Sequence, residues 1–246
     1  MKRVLVTGAS GLGLEIARRY LNAGDQVCLL SQSEASIQSA LESTGPAAIG
    51  VTGSVTRSED IEHAIQRMCD AFGGIDCAIS CAGINVVGPS LEVSAQTFSH
   101  ILEVNVLGSF LVAQAAGRQM ATHGGGSITF ISSVYGESGA PQRAAYCASK
   151  GALHTLTESL SVEWGRYGIR VNAVAPTGIR SRMVQSLIEQ GQYNLRGVEA
   201  RTPLGRLAEP EEVANACYFL SSDQAAMITG HILPVDGGWL ANGYII

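Results

Sequence analysis

The sequence predicts an α/β domain: one doubly wound parallel sheet of about seven strands, with helices on both faces. Three observations carry this. Short β-branched runs alternate with longer amphipathic ones from end to end. No Pro/Ser-rich linker, repeat or low-complexity segment divides the series, so residues 1–246 read as a single domain. Hydrophobic residues make up 46% of the chain and charged residues 15%, against about 25% charged in an ordinary domain, as suits strands buried on both faces.

Taken in order, residues 3–7 read as the first strand and 12–23 as its following helix. Residues 26–31 are a strand and 34–42 a helix; 47–52 are a strand, and 58–72 a helix with Ile61, Ala64, Ile65 and Met68 at helical spacing. A strand at 75–80 leads to one long helix over 95–121. A strand at 127–132 leads to a second long helix over 144–167. Strand 169–175, helix 210–220 and strand 231–235 complete the series. Strand–helix–strand units of this length imply right-handed crossovers and a parallel sheet. Ligands of such sheets bind at the carboxyl ends of the strands, where strand order reverses.

Composition excludes several roles. The net charge of −5 comes with no run of like charges, so no nucleic-acid partner is expected. No apolar run approaches the length of about 18 residues that spans a membrane. The amino-terminal MKRVLVTGASG is too briefly apolar for a signal-peptide core, which points to a cytoplasmic protein. The 6 cysteines are scattered, none in Cys-x-x-Cys spacing, and read as free thiols in a reducing compartment. Without a His-Glu-x-x-His or a Cys/His cluster, no metal site is expected.

Two constellations carry chemistry. After the first strand comes Thr7-Gly8-Ala9-Ser10-Gly11-Leu12-Gly13. Glycines here let the backbone turn sharply and approach a pyrophosphate seated on the next helix's amino terminus, as in Rossmann-like folds. Farther on, Tyr146 and Lys150 lie four residues apart on one helical face, and Ser133 ends a strand. A phenol of pKa about 10 is a poor base at neutral pH. A nearby ammonium, with the positive ring of an oxidised nicotinamide, lowers that pKa, so tyrosine can exchange a proton with a carbonyl or alcohol oxygen while serine stabilises charge on it.

With these residues, the chain resembles the classical short-chain dehydrogenase/reductase family, from Val4 to Gly238. Supporting stretches are Asn105-Val106-Leu107-Gly108, Ile131-Ser132-Ser133, Tyr146-Cys147-Ala148-Ser149-Lys150, Arg170 to Pro176, Pro203 to Arg206, and Ile228 to Gly238. The resemblance implies a catalytic tetrad of Asn105, Ser133, Tyr146 and Lys150, with Asn105 holding a helix bend and a relay water, and Lys150 also bonding the nicotinamide ribose. It implies cofactor contacts at Gly8, Ser10, Gly11, Leu12, Gly13, Ser31, Gln32, Ser33, Ser54, Val55, Cys81, Ala82, Gly83, Pro176, Thr177, Ile179 and Ser181, besides Asn105, Tyr146 and Lys150. The implied activity is NAD(P)-dependent hydride transfer between a ketone and a secondary alcohol, and the string is similar to 3-oxoacyl-carrier-protein reductases.

The sequence departs from the family at the cofactor's edge. The turn between Gly8 and Gly11 is one residue short. Ser31 stands where NAD-preferring members carry an aspartate, which removes the objection to a 2′-phosphate, yet Gln32 stands where many NADP enzymes carry arginine; the reading leans to NADP(H) with NAD(H) as the alternative. Ser54 replaces an adenine-contacting aspartate, Ser80-Cys81-Ala82-Gly83 replaces Asn-Asn-Ala-Gly, and Thr177 replaces a glycine. These changes motivate rival readings: a cofactor-binding regulatory homologue with poor turnover, or an epimerase or dehydratase. The substrate pocket is expected at 84–93, 139–144 and a lid over 179–200, whose Arg180, Arg182 and Arg196, with Arg201 just beyond, either meet an anionic group or stand solvated. Thr122-His123-Gly124 lacks the basic residues that greet an acidic acyl carrier. The family also implies a homotetramer or homodimer, and the apolar tail 239–246 fits a subunit surface or its own subunit equally.

Overall fold

The structure, a computed structural model, describes residues 1–191 and 193–243, apart from the side chains of Arg182, Met183 and Leu187. Its strands are β1 (Arg3–Thr7), β2 (Gln26–Ser31), β3 (Ala48–Thr52), β4 (Cys77–Ser80), β5 (Gly126–Ile131), β6 (Ile169–Pro176) and β7 (Ile232–Val235). They form one 7-stranded sheet in the order β3-β2-β1-β4-β5-β6-β7. Every pairing is parallel, with Val4 opposite both Val27 and Cys77. The order reverses between β1 and β4, and the crevice at their carboxyl ends is the place such sheets reserve for ligands.

Alternation along the strands sorts the core into two layers. Leu5, Leu30, Ala78, Ile128, Phe130 and Val171 face one side, under α3 (Ser58–Phe72), α5 (Gly108–Thr122) and α6 (Ala144–Trp164). Val4, Val6, Leu29, Ile79 and Val174 face the other, under α1 (Gly11–Leu21), α2 (Glu34–Thr44) and α9 (Pro210–Leu220). Helix α3 starts at Ser58, with Glu59 and Asp60 in its first turn, and ends at Gly73 in the left-handed region. The fold is the Rossmann-like single domain that the alternation predicts.

The expected helix over 95–121 is two helices. Helix α4 (Ala95–Leu102) passes through a π turn, Glu103–Leu107, into α5. The wide turn carries Asn105, fully buried, and the Ser109 hydroxyl donates to the Asn105 carbonyl at 2.8 Å. Together the run Ala95–Thr122 is long and apolar enough, by length and composition, to cross a membrane, which a search for unbroken apolar runs does not reveal. Its Val112, Ala113, Ala116 and Met120 pack on the sheet. The strand expected from residue 75 begins at Cys77, just after Asp76, whose carboxylate accepts from both the backbone amide and the Nε of Arg3 at 2.8 Å. The segment expected as a lid holds α7 (Arg182–Glu189) and α8 (Leu195–Arg201).

Candidate active site

The glycine turn closes over the switch point. Gly8 and Gly11 have φ of 94° and 53°, values that favour glycine. A Cβ on Gly13 would collide with the Gly8 carbonyl, so the turn lies directly on the start of α1. The Gly8 amide donates to Leu30 at 2.8 Å, and the Thr7 hydroxyl oxygen accepts from the amides of Cys81 and Ala82 at 3.0 Å each. That oxygen bolts the end of β1 to the end of β4. Ser10 precedes α1 without capping it, and no acid stands in the first turn, so the first amides of the helix meet no side-chain acceptor. Despite its missing residue, this turn fits a pyrophosphate: a close backbone approach, unfilled amides and the positive end of a helix dipole. Leu12 packs inward from α1.

The four residues of the implied tetrad converge beside it. Asn105 spends its whole amide: Oδ1 accepts from the Ile84 amide at 2.8 Å, while Nδ2 donates to the Ile84 carbonyl at 2.9 Å and to Ser149 Oγ at 3.0 Å. Ser149 in turn donates to the Tyr146 carbonyl at 2.7 Å. Lys150 is buried and its Nζ donates to the Ile131 carbonyl at 2.7 Å. A Cβ on Gly83 would stand 3.2 Å from Asn105 Oδ1 and 3.6 Å from Lys150 Nζ, so only glycine leaves that corner open. Ser133, buried just past the end of β5, accepts from the Tyr135 amide at 3.2 Å and lies near enough to the Tyr146 phenol to favour its ionised form. Beneath them, Ser132 Oγ lies 2.8 Å from His154 Nε2 and donates to the Lys150 carbonyl, which makes His154 a peg between β5 and α6.

The electrostatics of the protein alone are set by burial. Burial pushes the Tyr146 phenol up to about 12, while the Ser133 hydroxyl pulls it down. Burial pulls the Lys150 ammonium down to about 8. Lysine therefore does not make the phenol acidic in the protein alone. Its Nζ sits 5.5 Å from the Tyr146 ring centroid and its hydrogen bond goes to Ile131 instead.

The outer residues divide. Gln32 Nε2 donates to Ser54 Oγ at 2.8 Å, and that oxygen also meets Thr56 Oγ1 at 2.8 Å. The Ser54 hydroxyl is thus engaged inward, and the carboxylate at this corner is Asp60, which takes the Ser54 amide at 2.6 Å. That bond, followed by Arg57, holds the Asp60 carboxyl below its usual range. Val55 is buried against Gly108. Ser33, an implied cofactor contact, caps α2: its hydroxyl oxygen accepts from the Ser36 amide at 3.1 Å. Ser31 is half-buried and faces the Ser33 amide at 3.5 Å. Burial raises the Cys81 thiol to about 12. Pro176 is buried at the end of β6, the Thr177 amide donates to Val235, Ile179 bridges to Ala208, and Ser181 caps α7.

Sequence reasoning missed the aromatic wall above Tyr146. Tyr135 meets Trp239 edge-on at 5.7 Å, and the Arg201 guanidinium stacks on Trp239 at 4.2 Å. A Cβ on Gly178 would stand 2.5 Å from the Tyr193 hydroxyl, so this position, two residues past β6, is small to admit a tyrosine from the lid. Of the lid arginines, Arg180 pairs with Glu209 at 3.2 Å and Arg196 is exposed; the Arg182 side chain and the tail residues Tyr244, Ile245 and Ile246 lie outside the described residues. Tyr135 and Arg143 had a signal in the sequence, two residues after Ser133 and three before Tyr146.

With this geometry in view, comparison with known proteins places the chain. A family model described as enoyl-(acyl carrier protein) reductase matches residues 6–240. The chain belongs to the short-chain dehydrogenase/reductase family. Within that family, it is 39% identical to a 2-(S)-hydroxypropyl-CoM dehydrogenase of Xanthobacter autotrophicus, over 95% of this chain and 94% of the relative. It is 37% identical to a galactitol 2-dehydrogenase of Cereibacter sphaeroides, over 95% and 93%. The solved structure of ElxO with NADP bound matches with a TM-score of 0.92 at 31% identity, covering 98% of this chain and 100% of that one. An actinorhodin polyketide ketoreductase with NADPH matches with a TM-score of 0.91 at 32% identity, over 99% and 98%. The relatives are dehydrogenases and reductases, and the chain is an oxidoreductase of their family.

Proposed function

We propose that the protein interconverts a ketone and a secondary alcohol with a nicotinamide nucleotide, using Tyr146 as general acid and base. One observation carries the reading: Asn105 and Lys150 flank Gly83, Lys150 Nζ lies 5.5 Å from the Tyr146 ring centroid, Ser133 neighbours the Tyr146 phenol, and Gly83 follows Ala82, which Thr7 ties to the turn between β1 and α1. A bound nicotinamide nucleotide would supply or accept the hydride. The glycine turn and the edge at Ser31 and Gln32 would hold it. The absence of an acid at Ser31, and the NADP and NADPH in similar solved structures, support NADP(H) over NAD(H).

With its pKa near 12, the Tyr146 phenol keeps its proton at neutral pH and is ready to hand it to a carbonyl oxygen. Ser133 would hydrogen-bond the same oxygen as charge develops on it. Lys150, at about 8, stays mostly charged at neutral pH and stabilises the phenolate left behind. Exposed Phe98, Leu107 and Val162 on α4, the π turn and α6 support a homotetramer or homodimer built through these helices.

Fluorescence titration with NADPH and NADH tests the cofactor assignment, and saturable binding is expected, tighter for NADPH. Tyr146→Phe tests the acid: turnover should fall by at least a hundredfold, with nucleotide affinity nearly unchanged. A Phe variant with most of its activity would remove the assignment.

A further inference from the structure

The entry to α6 holds an arginine that the fold goes out of its way to place. Gln142, one residue before it, has φ of 60° and is the one non-glycine residue in the left-handed region among those described. Such a conformation persists only where its surroundings enforce it. Here the Gly88 amide, from the loop across the pocket, donates to the Gln142 carbonyl at 3.0 Å. The next residue, Arg143, stands at the start of α6, three positions before Tyr146 and on its side of the helix.

Arg143 is poorly satisfied there. Its one side-chain hydrogen bond runs to the Pro141 carbonyl at 3.3 Å, and it makes no ion pair among the described residues. Arg180 and Arg206, by contrast, are paired with Glu209 and Glu212. The Arg143 charge acts on two phenols, Tyr146 and the lid's Tyr193, drawing both down against burial. Across the aromatic wall, Arg201 is likewise without an ion pair, and its buried Nε has no acceptor among the described residues. An unpaired guanidinium beside a reacting centre is a receptor for a planar or tetrahedral anion.

We infer that the substrate carries an anionic group, a carboxylate, sulfonate or phosphate, that Arg143 binds beside Tyr146, and that Arg143 thereby sets the substrate class. This rests on the ketone and alcohol reading above. The test compares ketones matched except for charge: 3-oxobutanoate against its methyl ester, and 2-oxopropanesulfonate and 2-oxopropylphosphonate for the other anions. Wild type should favour the anions in kcat/KM by at least tenfold, and the best of the three identifies the group. Arg143→Gln should cut that preference tenfold or more, mainly through KM, and Arg143→Lys should recover part of it. Arg196→Gln, an exposed lid charge, should leave the preference alone. The inference is overturned if wild type prefers the ester, if Arg143→Gln lowers ester and anion turnover equally, or if Arg196→Gln removes the preference as well. Should no ketone turn over, the thermal shift produced by each anion decides separately. Stabilisation of wild type and not of Arg143→Gln upholds anion binding while the redox reading fails, and no stabilisation of wild type overturns it.

Discussion

Asn105→Ala should unlock the pocket loop from the catalytic helix. The side chain is fully buried and makes three hydrogen bonds, two to Ile84 and one to Ser149. At about 1 kcal/mol net for each bond, the loss is about 3 kcal/mol, and more if the Ile84 amide finds no water. For a domain of this size that lowers the melting temperature by about 6–12 °C. Thermal and urea unfolding measure it. Ser149→Ala should cost less, because it removes one of the three bonds along with its own bond to Tyr146. The two changes share a bond, so their effects should fall short of additivity by about 0.5–1.5 kcal/mol in a double-mutant cycle. A loss below about 1 kcal/mol in Asn105→Ala, or full additivity, would refute the view that Asn105 braces the site.

Three other outcomes follow from the same geometry. Lys150 ionises near 8 in the fold against 10.5 for the free side chain, so between those values the unfolded chain binds the extra proton and stability rises with pH. The difference in unfolding free energy between wild type and Lys150→Met should therefore climb by about 3 kcal/mol across that interval, and a flat difference would contradict the buried ammonium. Gly13→Ala forces a Cβ into the Gly8 carbonyl, backbone against backbone; it should cost about 1–3 kcal/mol and weaken nucleotide binding well beyond any effect on turnover at saturation. Gly83→Ala, 3.2 Å from Asn105 Oδ1, should lower activity with little loss of stability, since an exposed loop can yield; equal stability and activity losses would deny the open corner a role in the reaction.

Much of this was legible because the fold writes itself in periodicity. The strand ends at Thr7, Ser31 and Thr52 and the whole of α3 fall where the apolar pattern puts them. The break at Glu103–Leu107 was not legible in the apolar pattern, because a π turn keeps helical composition; only the resemblance, with its helix bend at Asn105, pointed to it. Side-chain allegiance was equally hidden. Ser54, polar and well placed for a nucleotide, engages its hydroxyl with Gln32 and Thr56, and Ser33 turns its hydroxyl oxygen to the start of α2. The phenol's ionisation could not be read either, because sequence spacing shows the neighbouring lysine but not the burial that outweighs it. The aromatic wall joins Tyr135 and Trp239 from distant segments, a meeting that no local pattern records.

The bond from Thr7 to Cys81 and Ala82 has a consequence for how the molecule comes into being. It ties residues 74 and 75 positions apart, so the crevice does not exist while a nascent chain has only its first three strands. Until β4 emerges and docks, β1 presents an unpaired edge, the kind of surface that recruits other chains. Parallel pairings of such separation form slowly. A nucleotide bound in this crevice can therefore stabilise the protein only late in folding, after the central strands have closed.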